Sequence, residues 1–396
     1  MTKLLIIAEQ YWPEGGGGTL ATHLITKLLA REGFNITVVA GTEYPERVRG
    51  VEYMFTPLLK RRDKASLWIN SILLSREPWF VKLLRWADVV YIPRYAYPII
   101  PTAKGFGKRV VVHLHDYQPI SYTASVLRDG KSLNSPSEVA SFELFEHRSL
   151  TRALLGTLSA PTWLLARSWV SMADEVICVS KRQAELIVKH VPELSSKISV
   201  IYNPLPDIPV IKKEPTEPPS FLYLGGDSFI KGFHIFLKAS ASLLRRRRAV
   251  FLLTKNFSDS SRGVLSKLNA VFDNAYVMLG HLKYEDVLSL HSRAYGMVFP
   301  SVWEEPLPYA VVESMLAGTL PIASRVGGVP EIVEGTFAER LLFEPGDVDG
   351  LVDRMETVLS MSRKKILDVV AELREIVLKR LGYDMIKNRL LKVFNI

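Results

Sequence analysis

Short apolar runs and longer helical spacings alternate along this chain. Runs over 3–8, 35–40, 51–56, 88–92, 109–115, 175–180 and 198–202 read as strands. Between them, 19–32 and the long 139–172 region carry helical spacing, with Pro161 breaking or kinking the second. Such alternation predicts an α/β unit with a mostly parallel sheet. The stretch 203–219 is dense in proline and weakly periodic, as a linker between domains is. A second alternating series follows, with strands expected at 221–226, 250–254, 275–280, 296–300 and 319–324. The pattern predicts two doubly wound Rossmann-like domains facing across a cleft, 1–205 and 206–377, and a last helix at 378–396.

Composition adds bounds. The 396 residues are 48% hydrophobic and 23% charged, ample for a core. The one cysteine, Cys178, lies in an apolar run and reads as a buried thiol. With no disulfide framework and no Cys/His metal cluster, a reducing cytoplasm is expected. The run 153–170 is interrupted by Pro161 and Arg167 and makes a poor membrane span. The net charge of +9 is uneven: 25 Lys+Arg against 18 Asp+Glu over 1–205 give +7. Within that half, 60–85 holds seven basic and two acidic residues among leucines and tryptophans. It reads either as a core-facing helical stretch with a solvated face or as a peripheral contact with an anionic membrane. No nucleic-acid module is present in the sequence, so nucleic acid is not expected as a partner. Arg245–Arg248 reads as a solvated helix end.

Candidate chemistry concentrates between Pro300 and Glu313. Glu305 sits in a proline-interrupted stretch that cannot be regular helix, and Glu313 falls in a short helix that tolerates Pro308 in its first turn. Gly318 fits just past its end. One carboxylate is then at a helix mouth and the other about a turn inside, with unpaired amides between them. That order suits a ligand made of sugar, phosphates and a ribose diol. Gly15–Gly18 follows the first strand and opens a helix, so its amides can approach phosphate. A dinucleotide fold with Glu43 on the ribose competes, but Leu20 occupies the third glycine position of that fingerprint. His115 closes a strand at the sheet edge, and His113, on the same side of that strand, is its rival.

Residues 299–335, with Pro300-Ser301, Glu305-Pro306-Leu307-Pro308, Glu313-Ser314-Met315 and Gly327-Gly328-Val329-Pro330-Glu331, resemble the signature of the retaining GT-B glycosyltransferases of family 4. Many members carry Phe-Gly where this chain has Leu307-Pro308. The resemblance implies donor contacts from Gly17, Gly18, Lys231, His281, Leu282, Glu305, Leu307, Tyr309, Ala310 and Glu313. It assigns His115 and Glu305 to the transferred sugar, Lys231 to the diphosphate and Glu313 to the ribose. The family's second cation usually follows the first glycine of the loop; Gly226 stands there, and Lys255 or another basic residue is needed as a substitute. The resemblance also implies a final helix crossing back to the first domain. No metal or other cofactor is expected. The expected partners are a nucleotide-sugar donor and a saccharide or lipid-linked acceptor. An epimerase, a sugar phosphorylase and a catalytically silent binder share this layout and stay open, as do the donor base and sugar.

Overall fold

The computed structural model describes residues 1–60 and 63–395, so Arg61 and Arg62 of the basic stretch lie outside the described residues. Two parallel sheets dominate. The first has seven strands in the order Val51–Phe55, Asn35–Ala40, Lys3–Ala8, Val89–Ile92, Arg109–Leu114, Glu175–Cys178 and Ile198–Val200. Its interior strands are apolar at successive positions because both faces are covered, whereas the edge strand Val51–Phe55 is largely exposed. Leu4 and Ile6 point into one core and Leu5 and Ile7 into the other. The second sheet has six strands, ordered Tyr276–Gly280, Val250–Thr254, Ser220–Tyr223, Gly296–Phe299, Leu320–Ser324 and Leu342–Phe343. In each sheet the first strand of the lobe lies in the interior of the order. Strand order reverses there, which opens a crevice at the strand ends.

Several boundaries differ from the sequence expectation. The 139–172 region is not one helix with a single break. It forms Pro136–His147, Leu150–Ser159 and Trp163–Ser171. Arg148 ends the first in a left-handed conformation, and Ser149 caps the second by accepting the Arg152 amide. A short 3-10 turn holding Pro161 separates the second from the third. At the other end, Arg363–Arg380 stops before Gly382, and a separate helix, Tyr383–Phe394, follows. Phe394 meets Tyr91 of the first sheet edge-on, and Arg389 donates to the Val200 carbonyl at 2.9 Å. The stretch from Ile201 to Pro219 has no regular structure and joins the lobes. Within 60–85, helices Lys64–Leu74 and Pro78–Trp86 bury Leu67, Trp68, Leu74, Phe80 and Leu84 against the first sheet.

Candidate active site

A cavity of about 420 Å³ opens between the lobes. Its lining includes Gly17, Gly18, His115, Lys231, His281, Leu282, Glu305, Leu307, Tyr309, Ala310 and Glu313, so the residues singled out from the sequence lie together. Helix Tyr309–Leu316 delivers Glu313 into it. Its N-cap is Pro308, and the first amide to close onto that cap is that of Val311. The amides of Tyr309 and Ala310 are left without a partner in the helix.

The two glutamates sit in different surroundings. Glu313 accepts the Tyr284 hydroxyl at 2.7 Å. Burial pushes its carboxyl up to about 6, against the opposing pull of that hydrogen bond. Glu305 is buried and gathers three donors on one oxygen: the Lys231 ammonium, Trp303 Nε1 at 2.6 Å and the Ser301 hydroxyl at 3.3 Å. In this structure Lys231 rests against Glu305. Its ammonium also lies 5.3 Å from the Trp303 ring.

Lys255 lines the same cavity and has no carboxylate partner among the described residues. Burial lowers its pKa, and the neighbouring Lys231 adds to the effect. A side chain begun at Gly226 would meet Lys255 Cβ at 3.5 Å, so Lys255 fills the space beside the position that lacks a cation.

From the first lobe come the glycines and His115. Helix Gly17–Arg31 starts two residues earlier than the sequence spacing indicates, which puts Gly17 and Gly18 in its first turn. A Cβ on Gly17 would lie 3.0 Å from Tyr309 Cδ2, and one on Gly18 would lie 3.2 Å from His115 Cγ. The absent side chains let this turn approach both groups. The Nε2 of His115 has no hydrogen-bond partner among the described residues. Burial, then His113 and Arg94, holds the His115 pKa well below the usual imidazole range, so the ring is neutral. His113 is fully buried, 2.7 Å from the Tyr91 hydroxyl through Nδ1, and does not line the cavity. Glu43 pairs with Lys60 on the surface.

Trp12, Tyr284 and Trp303 also line the cavity, and sequence reasoning missed all three. Trp303 lies two positions before Glu305, so the motif itself carried a signal. Tyr284 reaches Glu313 from a separate helix, Tyr284–Arg293, and no local pattern marks it.

The Gly327-Gly328 loop supports the glutamates from behind. Gly327 has φ +49°, and a Cβ there would fall 1.8 Å from the Glu305 carbonyl oxygen. Its amide donates to Glu304 at 2.7 Å, and the Gly328 amide donates to the Glu305 carbonyl at 2.9 Å. Glu304 reaches across to Arg182 of the first lobe at 2.7 Å. Glu331 accepts the amides of Lys181 and Arg182, capping helix Lys181–His190 from the other lobe. The lobes are thus joined beside the cavity by charged, hydrogen-bonded contacts.

Two family models match the chain. The model for glycosyl transferases group 1 covers residues 206–372, and that for glycosyltransferase family 4 covers 15–207. A 42.6 kDa protein of the cps region of Klebsiella pneumoniae is 22% identical over 389 residues, 93% of this chain and 96% of that one. Sucrose-phosphate synthase from Thermosynechococcus elongatus superposes with a TM-score of 0.71 at 16% identity, covering 100% of this chain and 98% of that one. Anabaena Alr3699/HepE, crystallised with UDP-glucose, superposes with a TM-score of 0.68 at 18% identity over 99% of both chains. At these identities the structural likeness establishes the fold.

Proposed function

Because the chain belongs to the GT-B glycosyltransferases of group 1 and family 4, we propose that it is a retaining, metal-independent hexosyltransferase. It moves a sugar from a nucleotide-sugar donor to a saccharide or lipid-linked acceptor in the cytoplasm. The observation that carries this reading is the order of groups along one cavity wall: Glu305, the free amides of Tyr309 and Ala310, then Glu313. A fold neighbour crystallised with UDP-glucose supports a nucleotide-sugar donor.

Glu313 accepts the two ribose hydroxyls, an arrangement that favours a ribonucleotide. The diphosphate lies over the amides of helix Tyr309–Leu316 and of the Gly17–Gly18 turn. As the bond from the anomeric carbon to the diphosphate breaks, negative charge grows on the leaving group. Lys231 and Lys255 stabilise it electrostatically. Lys231 begins against Glu305 and gains a second anion when the donor enters. The free oxygen of Glu305 and the neutral His115 ring bind hydroxyls of the transferred sugar. The acceptor hydroxyl enters on the face from which the diphosphate departs, and its proton passes to a diphosphate oxygen.

Thermal shifts with UDP, GDP and ADP and their sugars rank the donors. The best donor is then incubated with and without acceptor sugars. The expected result is acceptor-dependent transfer with the anomeric configuration kept and unchanged by EDTA. Epimerisation of the donor without acceptor, an inverted product, or activity lost to EDTA and restored by magnesium would each overturn the reading.

A further inference from the structure

Helix Leu150–Ser159 is built inside out. It turns Ala153 and Gly156 inward and leaves Leu150, Leu154, Leu155 and Leu158 between 57% and 79% exposed. A helix facing water does the reverse. The small inward residues let it sit close on helix Pro136–His147: a Cβ on Gly156 would lie 3.1 Å from a Val139 methyl. The pattern continues across the 3-10 turn. Helix Trp163–Ser171 buries Ala166 and Val170 and exposes Leu164 and Leu165. Trp169 meets the buried Trp68 edge-on at 5.1 Å, so this helix packs beside helix Lys64–Leu74. That helix exposes Ile69, Ile72 and Leu73. Contiguous exposed leucines on this scale mark a surface that is covered by something.

The charge around the face says what covers it. From Arg148 through Ala173 the chain has no aspartate or glutamate. Arg152 and Arg76 have no carboxylate partner among the described residues, whereas Arg167 is held by Glu193. Among the described residues, no helix is long and apolar enough to cross a membrane. Outward leucines bordered by unpaired arginines fit a helix lying in the interface of an anionic bilayer.

We propose that the chain docks on an anionic lipid surface through the outward face of helices Leu150–Ser159 and Trp163–Ser171, with Ile69, Ile72 and Leu73 at its edge. This extends the membrane alternative raised for 60–85: the larger apolar residues of that stretch mostly face the core, and Ile69, Ile72 and Leu73 stay at the edge of the contact. It deepens the lipid-linked acceptor reading but does not depend on it. A chain that binds vesicles yet transfers only to free saccharides leaves the docking intact and refutes that acceptor.

The test is sedimentation of the full chain with vesicles of phosphatidylcholine and phosphatidylglycerol in a three-to-one ratio, and with phosphatidylcholine alone. The protein is expected to pellet with the mixed vesicles and to bind pure phosphatidylcholine at least about tenfold less. The double variant Leu154→Asp/Leu158→Asp should bind mixed vesicles at least about tenfold less. Both positions are exposed and absent from the cavity lining, so its circular dichroism and nucleotide thermal shift should match those of the parent. Failure to pellet with mixed vesicles, or equal pelleting of the double variant, overturns the proposal. So does a dimer, measured by light scattering, that the double variant disperses, since it would assign the face to a second copy.

Discussion

A carboxyl buried against a tyrosine hydroxyl gives up its proton late, and Glu313 does so at about 6. On the proposed reading, only the ionised form accepts both ribose hydroxyls. Nucleotide-sugar affinity should therefore hold above that pH and fall below it, as protonation turns the acceptor into a donor. A Glu313→Gln variant should bind weakly with no such pH dependence; a parental profile in that variant would remove Glu313 from the binding step. The two lysines make a separate prediction. Lys231→Ala and Lys255→Ala should each cut turnover by at least about tenfold, roughly 1.4 kcal/mol in the barrier. Near-normal turnover of Lys255→Ala in a steady-state assay would leave Gly226 without a substitute cation. At this scale Glu305, Glu313 and Lys231 were legible because short local patterns surround them. The contact between Lys231 and Glu305 was not, because 74 residues separate the partners.

Elements were legible where periodicity is strong and obscure where a single residue ends a helix. The strands of both sheets showed as short apolar runs, except Leu342–Phe343 at the edge of the second, which at two residues is too short to make one. The break at Arg148 did not, because a left-handed arginine has no distinguishing side chain, and only the Ser149 cap hints at a new start. The Gly327-Gly328 loop is the element whose sequence and geometry agree most closely. A Cβ at Gly327 must displace the Glu305 backbone or force the loop out of its left-handed turn. Gly327→Ala should destabilise the chain by at least about 2 kcal/mol in a urea melt and lower turnover with it. Unchanged stability with full activity would mean the loop adapts, and that the glutamate backbone does not rest on it.

Two lobes across a linker were legible from the repeated α/β alternation and the proline-dense stretch between its halves. The contacts that join the lobes were not, since each pairs residues far apart in sequence, as Arg182–Glu304 and Lys181–Glu331 do. On the proposed reading, holding the lobes together over the donor keeps water from the anomeric carbon. Arg182→Ala should therefore raise donor hydrolysis relative to transfer several-fold, read from the product ratio; an unchanged ratio would show that the pair does not hold the closed form. The account as a whole requires a ribonucleotide in the gap between the lobes with its ribose on Glu313. Calorimetry with the best-binding nucleoside diphosphate and its 2′-deoxy counterpart tests this most directly. The parent should prefer the ribonucleotide by at least about tenfold, and Glu313→Ala should bind both alike. Equal affinities in the parent, or a preference that survives in Glu313→Ala, would contradict the account.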